Sequence, residues 1–346
     1  MSERLLRLVG TAAVAAQAAL VPAPAAAVPA PQRPVAELLT DLQKLYRQAE
    51  RSTETYNATA ERLARQRAEV ERLDAELARA RRSLHDSRRD AARLARQQYQ
   101  SSTALSPYVR LLLARDPQRA LDEGHVIGQV ARGRARAVDR LRAGEKKQDV
   151  LVRKARKALD GQARLAERQQ RQRNDVRTRL ADVERLLASL SADRLAELAR
   201  FEQDGVDAAQ RKLVASGSLG SARPPSRQGD RAVRYAVRQL GKPYQWGAQG
   251  PGAYDCSGLT SQAWEHAGTP IPRTSQEQWA RLAHVPLNEL RPGDLVIYFP
   301  EATHVAMYLG DGKVVQAPRT GDRVKISPIA TNPILGAVRP DPTATP

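Results

Sequence analysis

The chain has 346 residues, a formal net charge of +18, a single cysteine and few aromatic residues, with two Phe and three Trp. This length corresponds to one to three domains, and one cysteine excludes a framework of internal disulfide bonds. Trp246, Trp264 and Trp279 all lie near the end of the chain, so a packed aromatic core belongs to the C-terminal third.

The N-terminus has the tripartite pattern of a secretory signal peptide, assigned to residues 1–30. Two arginines precede an apolar run at residues 8–21, and small residues at cleavage spacing follow it. The alternative is an uncleaved membrane anchor, but the run is short for a membrane span and is followed by Pro22 and Pro24. We therefore expect a secreted protein that acts outside the cytoplasm.

Residues 31–215 are predicted to form a helical coiled-coil region. Apolar and small residues recur at alternating spacings of four and three, the pattern of a left-handed coiled coil. The first seam comprises Leu38, Leu42, Leu45, Ala49, Ser52, Tyr56, Thr59, Leu63, Gln66, Val70, Leu73, Leu77, Ala80 and Leu84. The second comprises Val152, Ala155, Leu159, Gln162, Ala166, Val176, Leu180, Val183, Leu187 and Leu190.

The two seams predict an antiparallel hairpin with its tip near residues 101–125. We favour a hairpin over pairing with a second copy of the chain because the seams are of similar length. Pro107 and Pro117 interrupt the helices there, and residues 108–113 form an apolar patch. The patch either binds a partner or covers the hairpin's own core.

The basic excess lies before Ser226, mainly in this helical region. From Ser226 onward there are 13 Lys and Arg against 10 Asp and Glu, whereas the preceding part holds 43 against 28. A basic stripe is compatible with nucleic acid and equally with an anionic membrane or wall polymer. The export signal favours the membrane or wall polymer, and we expect no nucleic-acid partner.

A linker rich in Gly, Ser and Pro, residues 216–229, precedes a C-terminal domain at residues 230–346. A helix is predicted over residues 230–240, and Cys256 lies at the N-terminus of a second helix. The helix dipole favours a thiolate at this position, and the thiolate is the nucleophilic form of cysteine. Asp255 opposes this ionisation electrostatically, so an imidazole is needed nearby.

Three histidines could supply that imidazole. His266 lies at the far end of the Cys256 helix, roughly 15 Å away at the helical rise, and is excluded. His284 lies in a polar connector. His304 begins a predicted strand and is therefore the candidate partner of Cys256.

The strand that His304 begins, residues 304–309, follows a predicted buried strand at residues 295–299 and pairs with residues 314–317. In the resulting register Gln316 opposes Ala306 and lies one diagonal from His304. A side chain as long as glutamine reaches across that diagonal. Gln316 is therefore predicted to orient the imidazole.

Five motifs of this domain, in order along the chain, resemble the NlpC/P60 family of cell-wall peptidases. They are KPYQWG at 242–247, YDCSGL at 254–259, PRTSQEQ at 272–278, PGDLV at 292–296 and HVAMYLGDG at 304–312. The resemblance covers about a third of the chain. It implies an α+β, papain-like domain in which a helix bearing the cysteine packs on an antiparallel sheet bearing the histidine, behind the coiled-coil hairpin.

The resemblance also implies roles for individual residues. Cys256 would be the nucleophile, His304 the general base and acid, Gln316 the third member and Tyr244 a donor to the oxyanion. Positions that bind substrate are implied for Asp255, Ser257, Arg273 and Ser275. Three of these residues have a structural alternative: packing for Tyr244, a helix cap for Asp255 and an internal ion pair for Arg273.

The function implied is that of a peptidoglycan hydrolase that cuts stem peptides between D-glutamate and the diamino acid, with no metal or other cofactor. The alternatives are an N-acetylmuramoyl-L-alanine amidase and a non-catalytic wall-binding adaptor. The layout also resembles actinobacterial wall hydrolases of cell separation, some of which are held inactive by their coiled coil. The expected partners are peptidoglycan and, through the coiled coil, a membrane transporter or division complex.

Overall fold

Three helices form the N-terminal part of the computed structural model, which describes residues 33–101, 109 and 117–341. They are α1 (Val35–Ser101), α2 (Pro117–Ala188) and α3 (Ala192–Ala215). The predicted signal peptide and most of the predicted hairpin tip lie outside the described residues. Within the described ranges, no helix has an apolar stretch of the length that a bilayer crossing needs.

Helices α1 and α2 pack side by side in opposite directions. Ser52 contacts Asp175, and Gln66 donates a hydrogen bond to the carbonyl of Ala158, so the partner number falls as the α1 number rises. The buried seam between them includes Val70, Leu73, Leu77, Ala80, Leu151, Ala155 and Ala158. The predicted antiparallel hairpin is confirmed.

The predicted second seam is one residue out of register near its start. Val152 and Leu159 are 41% and 49% exposed, whereas their neighbours Leu151 and Ala158 are buried. Both residues are apolar in each adjacent pair, Leu151 and Val152 or Ala158 and Leu159. Either residue of a pair therefore fits the alternating spacing of four and three. A straight helix also drifts from a strict heptad by about 20° per repeat, which brings the neighbouring position to the contact.

Helix α3 is separate from the hairpin, although the sequence predicted one continuous coiled-coil region. Ser191 caps its start by accepting a hydrogen bond from the N–H of Arg194. Leu198 is buried in a cluster with residues from both helices of the hairpin. Further along, Gln210 donates to the carbonyl of Gly312 and accepts from the N–H of Ala330. Helix α3 thereby joins the hairpin to the C-terminal domain.

The C-terminal domain, described up to residue 341, is α+β with one antiparallel sheet, as predicted. Its helices are α4 (Arg227–Val237), α5 (Cys256–His266) and α6 (Ser275–Arg281). Its strands are β1 (Ala283–Val285), β2 (Leu295–Tyr298), β3 (His304–Gly310), β4 (Lys313–Gln316), β5 (Lys325–Pro328) and β6 (Ile334–Arg339), in the spatial order β1-β6-β2-β3-β4-β5. Helix α4 begins three residues earlier than predicted because Ser226 caps it.

The two faces of the sheet are covered by different parts of the chain. Helices α4 and α5 pack on the face that carries Val305 and Met307, where Trp264 is fully buried. On the other face, Tyr308 and Val314 belong to a second core that Leu213 of α3 contacts. The sheet is therefore held between its own helices and the N-terminal helical part.

Two glycines with positive φ angles differ in how closely other backbone atoms approach them. Substituting each by alanine distinguishes the free-energy cost of backbone strain from that of a steric clash. Gly293 and Gly268 have φ angles of +103° and +89°. An added Cβ would lie 2.7 Å from the Cα of Gly229 at position 293, but would meet nothing within 4 Å at position 268. We expect Gly268→Ala to cost about 1 kcal/mol of unfolding free energy and Gly293→Ala about 1–3 kcal/mol more.

Urea denaturation followed by tryptophan fluorescence measures both free energies. Equal losses for the two variants would contradict the close approach of the Gly229 and Gly293 backbones.

Candidate active site

Cys256 is the first residue of helix α5. Asp255 caps this helix by accepting a hydrogen bond of 2.6 Å from the N–H of Gly258. A Cβ on Gly258 would lie 2.2 Å from the carbonyl oxygen of Ala248, so the glycine lets the preceding loop pass close to the helix. The thiol is buried, with 3% exposure, and accepts a hydrogen bond from the N–H of Val305 in β3.

His304 begins β3, next to the thiol, and is oriented by Gln316. Met307 pairs with Val315, and this register brings Gln316 to the predicted diagonal from His304. Oε1 of Gln316 lies 2.7 Å from Nε2 of His304. Because a carboxamide oxygen only accepts, Nε2 carries the proton and Nδ1 keeps its lone pair. The imidazole therefore has its basic nitrogen free for another group.

The thiol and the imidazole do not contact each other in this conformation. Nδ1 of His304 has no hydrogen-bond partner and faces Oε1 of Glu50 at 3.6 Å. Sγ of Cys256 lies 3.9 Å from Oε1 of Glu54. Glu50 and Glu54 are one turn apart on α1 and on the same face of the helix. Each therefore faces one member of the predicted catalytic pair.

Glu54 makes the closest polar contacts between α1 and the cleft around Cys256. Its carboxyl group accepts 2.8 Å from the hydroxyl of Ser257 and 2.9 Å from the N–H of Ser275. One turn further along α1, Asn57 donates 3.1 Å to Asp255. The positions that the resemblance implied for substrate are thus occupied by a helix of the same chain.

Asp255 and Arg273 form a buried ion pair. Two guanidinium nitrogens reach the two carboxylate oxygens at 3.1 and 2.6 Å, and one also donates 2.8 Å to Ser257. Asp255 is fully buried and additionally accepts from the N–H of Gly247 at 2.9 Å. The structure therefore shows the cap and the ion pair that were the structural alternatives, and substrate binding by these residues stays a prediction.

Tyr244 lies beside the thiol and packs against the same core as helix α5. Burial raises the pKa of its phenol well above the usual value, and the nearby Cys256 and Asp255 raise it further. The hydroxyl therefore keeps its proton and can donate a hydrogen bond. The role of Tyr244 at an oxyanion stays a prediction.

Burial disfavours the charged forms of the two α1 glutamates, the thiol and the imidazole. It raises the pKa of Glu50 to about 8 and that of Glu54 to about 7, in the second case with a further contribution from Asp255. Desolvation lowers the pKa of His304 to about 4, and the pKa of Cys256 is raised well above its usual range. Glu50 and His304 are consequently a contact between neutral groups rather than an ion pair.

The comparisons with known proteins agree with the motifs. Residues 241–337 match the model of the NlpC/P60 family. The crystal structure of RipD from Mycobacterium tuberculosis, described as a non-catalytic NlpC/p60 domain protein adapted to peptidoglycan binding, is 32% identical; the match covers 32% of this chain and 96% of that one, with a TM-score of 0.29. Residues 241–337 therefore form an NlpC/P60 domain.

Two curated relatives of this NlpC/P60 protein are named as endopeptidases. A probable endopeptidase of Corynebacterium glutamicum is 40% identical over 126 residues, which are 36% of this chain and 60% of that protein. The peptidoglycan endopeptidase RipB of M. tuberculosis is 36% identical over 132 residues, which are 33% of this chain and 55% of RipB. The chain thus spans somewhat more than half the length of these relatives.

The contribution of α1 to the cleft was not predicted from the sequence. None of Glu50, Glu54 and Asn57 is singled out in the sequence analysis, although Glu54 and Asn57 are only 2% and 3% exposed. One signal was present: the first seam turns polar at Ser52, Tyr56 and Thr59, beside these residues. Among the described residues, no group of three or more His, Cys, Asp or Glu is arranged to hold a metal ion.

Glu54→Lys should expose the single thiol of the NlpC/P60 domain. A lysine at this position would place a second cation beside Arg273 and lose the hydrogen bonds from Ser257 and Ser275, so α1 should leave the cleft. We expect iodoacetamide to alkylate Cys256 at least about tenfold faster than in the parent protein, measured by intact-mass spectrometry at one pH.

Glu71→Lys is the matched control, because it makes the same charge change on the same helix at an exposed position. Its alkylation rate should equal that of the parent. If Glu54→Lys were alkylated no faster than the parent, Glu54 would not hold α1 on the cleft.

Proposed function

We propose that the protein is a secreted peptidoglycan hydrolase that cuts stem peptides through Cys256, and that helix α1 holds it inactive until it is displaced. The observation that carries the proposal is the pair formed by a thiol at a helix N-terminus and an imidazole whose unprotonated Nδ1 faces the same cleft. Family membership and the names of the relatives support peptidoglycan as the substrate.

The reaction begins when α1 withdraws Glu50 and Glu54. Nδ1 of His304 then accepts the proton of the Cys256 thiol, and the thiolate attacks the carbonyl carbon of the scissile amide. The N–H of Cys256 and the hydroxyl of Tyr244 hold the resulting oxyanion. The imidazolium gives its proton to the leaving amine, and a water molecule, deprotonated by His304, hydrolyses the thioester.

Gln316 determines which nitrogen of His304 takes part. Its carboxamide oxygen holds the proton on Nε2, while its own Nε2 donates 2.8 Å to the hydroxyl of Ser327. A neutral amide stabilises the imidazolium less than a carboxylate would. The third member of the Cys–His–Gln set therefore contributes mainly orientation.

The contacts of Glu54 support an acidic peptide as substrate. The hydroxyl of Ser257 and the N–H of Ser275 hold a carboxyl group beside the thiol, and a stem peptide that contains D-glutamate offers such a group. The bond proposed is the one between D-glutamate and the diamino acid. Cleavage between sugar and peptide, as in an amidase, is the alternative reaction, and wall binding without catalysis is the alternative function.

Digestion of purified cell wall tests the proposed reaction. In the Glu54→Lys background, which opens the cleft, we expect soluble peptide fragments to be released. Adding Cys256→Ala should reduce the release by at least about a thousandfold, because no other residue supplies the nucleophile. Liquid chromatography and mass spectrometry of the products measure both the rate and the bond.

Fragments that end at D-glutamate support the proposed bond, whereas intact stem peptides freed from sugar would show an amidase. Equal release with and without Cys256 would contradict the nucleophile, and no release from either protein, with wall binding retained, would favour an adaptor.

The proposed inhibition rests on a second contact as well as on the cleft. Arg319 makes a bidentate ion pair with Glu202 of α3, at 2.9 Å for both bonds, and its guanidinium lies 4.5 Å from the ring of Tyr46 of α1. Helices α1 and α3 are therefore both docked on the C-terminal domain. We propose that a membrane transporter or division complex releases α1 through the coiled coil.

Docking of α1 on the cleft depends on pH, because Glu50 and Glu54 bind protons more tightly when α1 is docked. Glu50 faces His304, Arg47 and Arg319, and Glu54 faces Arg273, Asp255 and the thiol. Both carboxyl groups have a raised pKa when docked, so docking is strongest below their ordinary pKa and weakens as pH rises through 7 and 8. The lowered pKa of His304 acts in the opposite direction, but only below its ordinary pKa of about 6.5.

We expect the activity of the full chain, divided by that of Glu54→Lys at the same pH, to rise between pH 6.5 and 8. Each carboxyl group contributes up to about tenfold per pH unit over the range in which it titrates. The ratio removes the pH dependence of the chemical step, which both proteins share.

The double variant Glu50→Gln and Glu54→Gln mimics the protonated carboxyl groups and is the matched control. Its ratio to Glu54→Lys should stay low and flat across the same range. A ratio for the parent that is equally flat would show that docking takes up no protons.

A further inference from the structure

Arg273 lies at the one place where it can contact both neighbours of the catalytic cysteine. Its guanidinium binds both carboxylate oxygens of Asp255 and the hydroxyl of Ser257. The side chains of Arg273 and Asp255 are 6% and 0% exposed, so water screens this pair very little. Its hydrogen bonds go to the residues on both sides of Cys256, and its positive charge also acts on Cys256 itself.

The negative charge of Asp255 opposes ionisation of the Cys256 thiol. Its carboxylate caps the helix that begins at Cys256 and accepts hydrogen bonds from Asn57, Gly247, Ser257, Gly258 and, twice, from Arg273. These bonds stabilise the charged form of the carboxylate. A full negative charge one residue from the thiol disfavours the thiolate that the reaction needs.

The positively charged guanidinium of Arg273 offsets the negative charge of Asp255. The groups that act on Cys256 electrostatically include three carboxyls, those of Glu50, Glu54 and Asp255. The two glutamates belong to α1 and leave the cleft when it opens, but Asp255 remains. Of the described residues around the thiol, Arg273 is the one whose cationic group contacts Asp255 directly.

We propose that Arg273 is a positioning residue of the reaction, which neutralises the charge of Asp255 and so allows Cys256 to ionise. This proposal rests on the proposed function only in taking the thiolate as the reacting form. It assigns Arg273 to the thiol's electrostatic environment rather than to the substrate. Asp255 can then keep the helix cap that places Cys256, without raising the free energy of the thiolate.

The shape of arginine also matters. Its planar fork makes two parallel bonds to Asp255 and a third to Ser257, and thereby fixes the residues on both sides of Cys256. A lysine would supply the charge from a single nitrogen and would hold fewer of these bonds. Arg273→Lys should therefore retain part of the effect on ionisation, and Arg273→Met should retain none.

The lone cysteine makes the test direct. The full chain is prepared with Glu50→Ala and Glu54→Ala, which removes the two α1 carboxyls from the thiol. Thiolate formation is followed by absorbance at 240 nm during a pH titration, and the same background with Cys256→Ala supplies the blank. The measurement needs no wall substrate, so it succeeds or fails independently of the proposed hydrolase activity.

We expect Arg273→Met to raise the thiol's titration midpoint by about one to three pH units, so that the thiolate fraction at a pH below the midpoint falls about tenfold or more. Adding Asp255→Asn should return the midpoint close to that of the background. Asparagine also caps helices well, so the start of helix α5 is preserved. Arg273→Lys should lie between the background and Arg273→Met.

Circular dichroism and thermal melts verify folding of each variant. If Arg273→Met does not fold, Arg273→Lys decides the matter, because its midpoint should lie above that of the background. An unchanged midpoint in Arg273→Met, or a double variant that titrates like Arg273→Met, would overturn the proposal and leave Arg273 with a structural role only.

Discussion

The cleft around Cys256 encloses more acid than base, and this imbalance governs the rest of the structure. Three carboxyl groups, from Glu50, Glu54 and Asp255, surround the thiol, and Arg273 binds only the last of them. Burial disfavours a charged carboxylate and raises the pKa of both α1 glutamates, so docking favours their neutral forms. The closed form is therefore held by hydrogen bonds and packing rather than by ion pairs inside the cleft.

In this arrangement the predicted catalytic residues, Cys256 and His304, face the same cleft. His304 already has its orientation from Gln316, and Cys256 already lies at the start of its helix. Within the described residues, Nδ1 of His304 has no hydrogen-bond partner, and the two groups face Glu50 and Glu54 of α1. On the proposed mechanism, activation needs no refolding of the catalytic domain, since removing the helix allows the thiol and the imidazole to come into contact.

The sequence predicted the parts of the site that depend on local pattern. The approach of His304 and Gln316 followed from a short hairpin and the alternation of a strand, which fix register within one residue. Strands β1, β5 and β6 were not predicted, because β1 has only three residues and β5 is partly exposed and ends in Pro328. Ser327, the partner of Gln316, lies on β5 and was missed for that reason.

The glutamates of α1 could not be predicted from the heptad pattern. A heptad pattern identifies the stripe that packs on the other helix of the hairpin, and it assigns polar residues outside that stripe to solvent. Glu50 and Glu54 lie beside the stripe and are buried by a domain about 200 residues away in sequence. Only the polar residues within the seam itself, such as Ser52 and Tyr56, indicated that this stretch packs differently.

The structure of α1 also determines how it can leave the cleft. Beyond residue 60 its seam with α2 is apolar, with Leu63, Val70 and Leu73 buried, so the helix remains paired when its polar contacts break. From Glu54 to Ser101 it extends about 70 Å at the helical rise. A small tilt of the cleft end thus corresponds to a large displacement of the far end. A force applied at the far end therefore produces a large torque on the cleft end. Helix α3, bound to the sheet through Gln210, is placed to act as the hinge.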